Sequence, residues 1–220
     1  MRISMESHAR RRARVVEAMV PGSAMLLFGA RHILRSGDSE FAFRQNSDLW
    51  YLTGWKDPEV ALLLIPGSDQ ASVLFVQQKN PEMEVWTGIR PGPAGAIREY
   101  GLEAALDWGT LASELQKRLQ GVHTLYYAIG HDKERDDLVL GAIKGARRQV
   151  RYNHKCLPDC FIHPSRILHE MRLLKDEEEI DLLKLAADIT GEAHEAAMKM
   201  AQPGVNEKEL HAVIDYTFRR

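Results

Sequence analysis

Val60-Ala-Leu-Leu-Leu-Ile65 and Ala71-Ser-Val-Leu-Phe-Val76 are two apolar runs, held apart by Pro66-Gly67-Ser68-Asp69. Runs this short, rich in Val, Leu and Ile and lacking polar alternation, read as strands covered on both faces. The Pro-Gly-Ser-Asp punctuation between them predicts a hairpin. Ala24-Met-Leu-Leu-Phe28 and Thr124-Leu-Tyr-Tyr-Ala-Ile129 read as two more strands of the same kind.

Helical spacing surrounds these runs. Residues 5–20 place Val15, Val16 and Met19 on one side and arginines on the other, until Pro21-Gly22 stops the helix. Leu111–Leu119 and Asp132–Arg148 carry the same period. Asp48-Leu-Trp-Tyr-Leu-Thr-Gly54 reads as a short helix or turn leading into a strand. Met83-Glu-Val-Trp-Thr87 alternates and predicts an exposed strand. Arg35–Glu40 and Pro91–Gly95 read as loops. Strands interleaved with helices predict an α/β fold, a mixed β-sheet flanked by helices.

The pattern changes after residue 155, and nothing between His163 and Arg220 resembles a strand. Asp176 with Glu179 predicts a capping box ahead of Ile180, Leu183, Ala187 and His194, and Asn206 with Glu209 a second cap of that kind. The last helix runs into Arg219-Arg220 without a terminating glycine. The expectation is a complete α/β domain over 1–172, then the opening of a second, truncated domain over 173–220.

Composition narrows the function classes. With 220 residues, 45% hydrophobic, 27% charged and a formal net charge of −2, the chain is an ordinary folded protein. It lacks the basic excess of a nucleic-acid binder, and no apolar run approaches the ~20 residues of a membrane span. The run His8, Ala9, Arg10, Arg11, Arg12, Ala13, Arg14 is not followed by the apolar stretch of a secretory signal, because Glu17 interrupts it. It reads as the solvated, arginine-rich face of the first helix. Two cysteines, Cys156 and Cys160, suit a reducing compartment, and the cytoplasm is expected.

Chemistry-bearing clusters are few. His154, Cys156, Cys160 and His163 have the residue types of a zinc site, but Cys-x3-Cys on one short, proline-stiffened loop is not a usual spacing, and two free thiols fit better. His194-Glu-Ala-Ala-Met198 starts like a zinc-peptidase helix but has Met for its second histidine, so it reads as helix surface. No glycine-rich phosphate loop occurs and no serine sits in a Gly-x-Ser-x-Gly turn. Of Trp50, Trp55, Trp86 and Trp108, most are expected in the core. Trp86, beside Glu82, Glu84, Gly88 and a Pro-Gly-Pro loop, is the one expected to face a ligand or partner.

Several of these stretches together resemble aminopeptidase P, the Xaa-Pro aminopeptidases of the pita-bread metallopeptidase class. They are Met19-Val-Pro-Gly-Ser-Ala24 after Arg10-Arg-Arg12, Arg35-Ser-Gly-Asp-Ser-Glu40, and Phe43-Arg-Gln-Asn-Ser-Asp-Leu-Trp-Tyr-Leu-Thr-Gly54 with Pro58-Glu59. Glu84-Val-Trp-Thr-Gly88, His169-Glu-Met-Arg-Leu173 and Lys175-Asp-Glu-Glu-Glu-Ile180 complete the set. The resemblance implies a creatinase/aminopeptidase P N-terminal-like domain followed by two helices of a truncated pita-bread domain. The whole protein it implies is a cytoplasmic homotetramer that removes the residue preceding proline from peptides. Two manganese ions would be held by two Asp, one His and two Glu, all beyond Arg220. This chain would then hold no metal and no catalytic residue and be inactive alone, its domain serving oligomerisation and the substrate channel. By match, Trp86 lines a neighbouring subunit's channel and Asp38 belongs to the polar network near it. The alternatives are a short non-catalytic relative acting as a binding or assembly module, and a prolidase-type dipeptidase. No nucleic acid or membrane partner is implied.

Overall fold

The computed structural model describes residues 3–220, without the side chains of 151–153. The helices are α1 (Met5–Ala18), α2 (Ser47–Thr53), α3 (Pro81–Thr87), α4 (Gly92–Tyr100), α5 (Leu111–Arg118), α6 (Lys133–Asn153), α7 (Ser165–Leu173), α8 (Glu177–Met200) and α9 (Glu207–Arg219). The strands are β1 (Ser23–Phe28), β2 (Leu34–Ser36), β3 (Ser39–Glu40), β4 (Ala61–Leu64), β5 (Ser72–Val76), β6 (Ala104–Asp107), β7 (Thr124–Tyr126) and β8 (Cys160–Ile162). They divide between two compact units, Ser4–Leu173 and a second comprising Leu174–Arg220 with Ile3.

In the first unit a six-stranded sheet runs in the order β6-β5-β4-β1-β7-β8. The β4–β5 hairpin is antiparallel, with Leu62 opposite Leu74, and β4 is also antiparallel to β1, with Leu26 opposite Leu63. The pairs β1–β7, β5–β6 and β7–β8 are parallel, so the sheet is mixed. Its apolar runs are continuous because helices cover both faces. Met25, Leu27, Leu62, Leu64, Leu74 and Val76 face α1, α2, α4 and α7. Leu26, Phe28, Leu63, Val73 and Phe75, one residue out of step, face α5 and α6.

Six expectations need correction. Met83–Thr87 is not a strand: Asn80 accepts the Met83 N–H at 3.2 Å, Pro81 occupies the first helical position, and α3 results. Start signals outweigh a three-residue alternation. Pro91–Gly95 likewise opens α4 instead of forming a loop. Arg35–Glu40 makes the two-stranded β2–β3 hairpin, with Gly37 at φ 55° in its turn. The strand expected over 124–129 ends at Tyr126, and the helix expected to stop at Arg148 continues to Asn153. Strands β6 and β8 carry too weak an apolar signal to be read alone, and each adds to a sheet edge.

The sixth correction concerns α1. Arg11 and Arg12 are not solvated; they are 3% and 5% exposed. Arg12 Nη1 donates to the Leu52 carbonyl at 2.9 Å and Nη2 to the Gly101 carbonyl at 2.5 Å, so one guanidinium closes the carboxyl ends of α2 and α4. Arg11 donates to the Tyr51 carbonyl and lies over the Tyr51 ring at 4.2 Å. Cations at helix carboxyl ends satisfy orphan carbonyls and oppose the negative end of the dipole. The chain leaves α2 through Gly54, left-handed at φ 67°, where a Cβ would stand 2.7 Å from His8 Nε2.

In the second unit, α8 opens on the capping box: Asp176 accepts the Glu179 N–H at 2.9 Å and Glu179 accepts the Asp176 N–H at 3.1 Å. Asn206 caps α9 through the Lys208 N–H at 2.9 Å, without the reciprocal bond from Glu209.

Candidate functional site

Two places in the Ser4–Leu173 unit offer chemistry. The first is the surface of α3. That helix buries none of its residues, and Val85, Trp86 and Ile89 at its end are 81%, 85% and 81% exposed. An open indole beside Val85 and Ile89 makes an exposed apolar patch, the kind of surface that marks contacts with ligands or partners. Trp55 is instead fully core, packed on Tyr100 with centroids 4.7 Å apart. Trp108 is half-buried against Phe28, and Trp50 is exposed. Asp38 sits exposed at the tip of the β2–β3 hairpin. Among the described residues, no hydrogen bond or ion pair joins Asp38 to Trp86, so within one chain they are separate features.

The second place is a cavity of about 580 Å³ at the carboxyl ends of β1, β7 and β8. These neighbouring strands run parallel, while β1 is antiparallel to β4 on its other side. Loops leaving such an edge in opposite directions open a crevice where α/β sheets take ligands. Leu26–Arg31 supply one wall, Tyr127, Ala128, His131 and Asp132 the second, and His163 with Pro164 the third; Phe41 and Phe43, after β3, close it. Gly29 is needed in the first wall, since a Cβ there would lie 2.3 Å from Val60 Cγ1.

Charges around this cavity are largely matched. Arg31 pairs with Glu134 at 2.5 Å and Asp132 at 3.8 Å, and the Glu134 bond raises its pKa. Arg135 lies over Phe28, donates to the Gly29 carbonyl at 2.6 Å and approaches Asp132 at 3.4 Å; burial, then Arg31, lowers its pKa. Burial pulls the Asp132 carboxyl up, but the Arg135 N–H, Arg31 and Arg135 together hold it below the usual range. Asp48 pairs with Arg172. Tyr127 donates to Asp136 at 2.6 Å, and burial with that bond pushes its pKa above the ordinary phenol range.

The residues considered for zinc do not converge. Cys160 lies on β8 rather than in one loop with Cys156, both thiols are exposed and unbridged, and His163 Nδ1 is engaged with Ser165 at 2.7 Å. Among the described residues, no three His, Cys, Asp or Glu side chains stand close enough to hold a metal ion. The manganese set implied by the resemblance therefore has no fit among them. Sequence reasoning missed the cavity; Gly29, directly after β1 and in the cavity wall, is a signal that could have pointed to it.

Comparison with known proteins gives a consistent result. The family described as "Aminopeptidase P, N-terminal domain" matches residues 8–127. The Xaa-Pro aminopeptidase of Escherichia coli (strain K12) is 39% identical over 220 residues, covering 99% of this chain and 50% of that protein. The Haemophilus influenzae Xaa-Pro aminopeptidase is 31% identical over 220 residues, covering 100% and 48%. Among solved structures, Pseudomonas aeruginosa aminopeptidase PepP superposes with a TM-score of 0.94 at 35% identity, covering 99% of this chain and 49% of that one. The low-pH form of E. coli aminopeptidase P gives 0.94 at 39%, covering 100% and 50%. The chain spans about half the length of the curated relatives it matches.

Proposed function

Because the chain belongs to the aminopeptidase P N-terminal domain family, we propose that it is the amino-terminal portion of a manganese-dependent Xaa-Pro aminopeptidase that releases the residue preceding proline. Its substrates are peptides with proline second, its compartment is the cytoplasm, and the whole protein is a homotetramer. Residues 1–172 form the N-terminal domain and 173–220 the opening of the pita-bread domain. The two metal ions and their ligands belong outside these residues, and the chain alone is inactive. The N-terminal domain builds the oligomer and shapes the channel of a neighbouring subunit, with Trp86 lining it and Asp38 in the adjacent polar network.

The observation that carries this reading is the 85% exposure of Trp86 in a chain similar to Xaa-Pro aminopeptidases from end to end. The chemistry is coherent. An Xaa-Pro bond is a tertiary amide with no N–H and a rigid ring, so a cleft recognises it by apolar surface more readily than by a hydrogen bond to that nitrogen. Two metal ions, when bound, supply hydroxide and polarise the scissile carbonyl. An indole this exposed in its own chain can give a ring face to a proline ring or the residue after it.

The test uses the full-length protein. Trp86→Ala is expected to lower kcat/KM for peptides longer than a dipeptide by about tenfold, the equivalent of ~1.4 kcal/mol, with metal content unchanged. Unchanged kinetics would remove the channel role. Absence of manganese-stimulated release from Xaa-Pro peptides would remove the activity itself.

A further inference from the structure

We infer that the cavity at the carboxyl ends of β1, β7 and β8 is a binding site for a carboxylate carried on an apolar body. Such a site is independent of any peptidase activity. A volume of about 580 Å³ lies in the ~300–1,000 Å³ range of small-molecule sites. The floor and the lid near it are apolar, from Leu27, Phe28, Ile33, Phe41 and Phe43. Ile33 and Phe41 are 66% and 55% exposed. Two large side chains left open on a small hairpin beside a cavity are more economical as ligand wall than as bare surface.

The sign of the ligand follows from which charges remain unmatched. Three arginines line the cavity, Arg31, Arg44 and Arg135, against two acids, Asp48 and Asp132. Arg31 is bound by Glu134, Asp132 by Arg31, Arg135 and the first amides of α6, and Asp48 by Arg172. Neither acid is left to attract a cation. Arg44 makes no hydrogen bond or ion pair among the described residues, and neither does His131. A planar guanidinium with its donors unspent, next to aromatic side chains, is suited to a carboxylate bonded by both oxygens with its apolar part laid on the rings. The source is either a free organic acid or the carboxyl terminus of a peptide ending in an apolar residue.

The experiment is a titration of the backbone amide resonances of the isotope-labelled 220-residue chain. The probes are hydrocinnamate, its neutral amide, and N-acetylphenylalanine. Saturable shifts at Gly29–Arg31 and Ala128–His131 are expected, with the acid bound at least about tenfold tighter than the amide. Arg44→Gln is expected to abolish that preference and Arg44→Lys to keep part of it. Since Arg44 is exposed and bonded to nothing among the described residues, neither change should alter unfolding. Tighter binding of N-acetylphenylalanine than of hydrocinnamate identifies a peptide terminus as the source, and the reverse order a free acid. The proposal is overturned by equal affinity for acid and amide, by shifts that map elsewhere, by an acid preference that survives Arg44→Gln, or by no saturable shift at all.

Discussion

Replacing Arg12 with methionine tests whether the arginine run of α1 is structural. The charge is costly where it sits: burial lowers the Arg12 pKa from the ordinary guanidinium range to about 10, with Glu103 acting in the opposite direction. At about 1.36 kcal/mol per unit this is ~3 kcal/mol against the charged form. Two charge-assisted hydrogen bonds, to Leu52 and Gly101, contribute about 1.5–3 kcal/mol each, so in the intact protein the bonds match or exceed the cost of burial. Removing the guanidinium does not simply relieve that cost. It leaves the carbonyls at the ends of α2 and α4 without donors, and a buried acceptor left unpaired costs about 1–3 kcal/mol. The Leu52 carbonyl belongs to a fully buried residue, whereas Gly101 is exposed and can turn to water. The expected loss is therefore about 2–3 kcal/mol, less than the sum of two orphaned groups.

The assay is built into the sequence. Trp50, Trp55, Trp86 and Trp108 all lie in the Ser4–Leu173 unit, so tryptophan fluorescence follows that unit alone. At about 2–4 °C per kcal/mol for a chain of this size, Arg12→Met should lower the midpoint by roughly 5–10 °C. Arg14→Met, on the exposed side of the same helix, should move it by less than about 2 °C, since surface changes stay within ~0.5 kcal/mol. Equal midpoints for Arg12→Met and Arg14→Met would refute the helix-closing role.

Three further substitutions probe other contacts. Tyr127→Phe removes the 2.6 Å bond to Asp136 and should destabilise the first unit by about 1.5–3 kcal/mol; ultraviolet titration of the parent should show one tyrosine ionising above the ordinary range, which the variant lacks. Glu114 is held below the usual carboxylate range by Lys117, with Arg118 adding to it. Its contribution is present above about pH 4.3 and is lost as pH falls through the lower folded value. Glu114→Gln should accordingly cost about 0.5 kcal/mol near neutrality and nothing in strong acid, read from urea midpoints at the two pH values. Asp176→Ala should reduce the stability of α8 by about 1 kcal/mol through loss of the capping box, visible in far-ultraviolet circular dichroism.

The centre of the sheet is legible in the sequence because its signal is strong and local. Residues 24–28 and 60–65 are apolar throughout and 71–76 is broken only by Ser72, and their shortness and the turn residues that bound them mark strands covered on both faces. The misreadings share one cause. In Met83–Thr87 a three-residue alternation competes with Asn80 and Pro81 and loses, because the start signals lie outside the alternating window. Strands β6 and β8 draw their pairing from β5 and β7, partners that sequence proximity does not reveal. The arginines of α1 look like a solvated face because burial of a cation depends on acceptors 40 and 89 residues away.

The two candidate sites differ in the same way, and the difference says what kind of site each is. Trp86 stands out in the sequence because its neighbours Glu82, Glu84, Gly88 and the Pro91-Gly92-Pro93 run offer nothing to bury a ring. Exposure of one residue is a local property, and the structure bears it out. The cavity has no such neighbourhood: its walls come from residues 26–48, 127–135 and 163–164, three segments brought together only because β1, β7 and β8 run side by side and parallel. A site assembled by topology cannot be read from spacing along the chain, and its charge balance is fixed by partners, Glu134 and Arg172, that do not line it. Arg44 gains its meaning by subtraction, as the arginine left when every other charge at the cavity has been matched. The same subtraction sets the outcome of a further change: placing a glutamate at Ala42, which also lines the cavity, should satisfy Arg44 internally and abolish acid binding, and retention of that binding would place the carboxylate elsewhere.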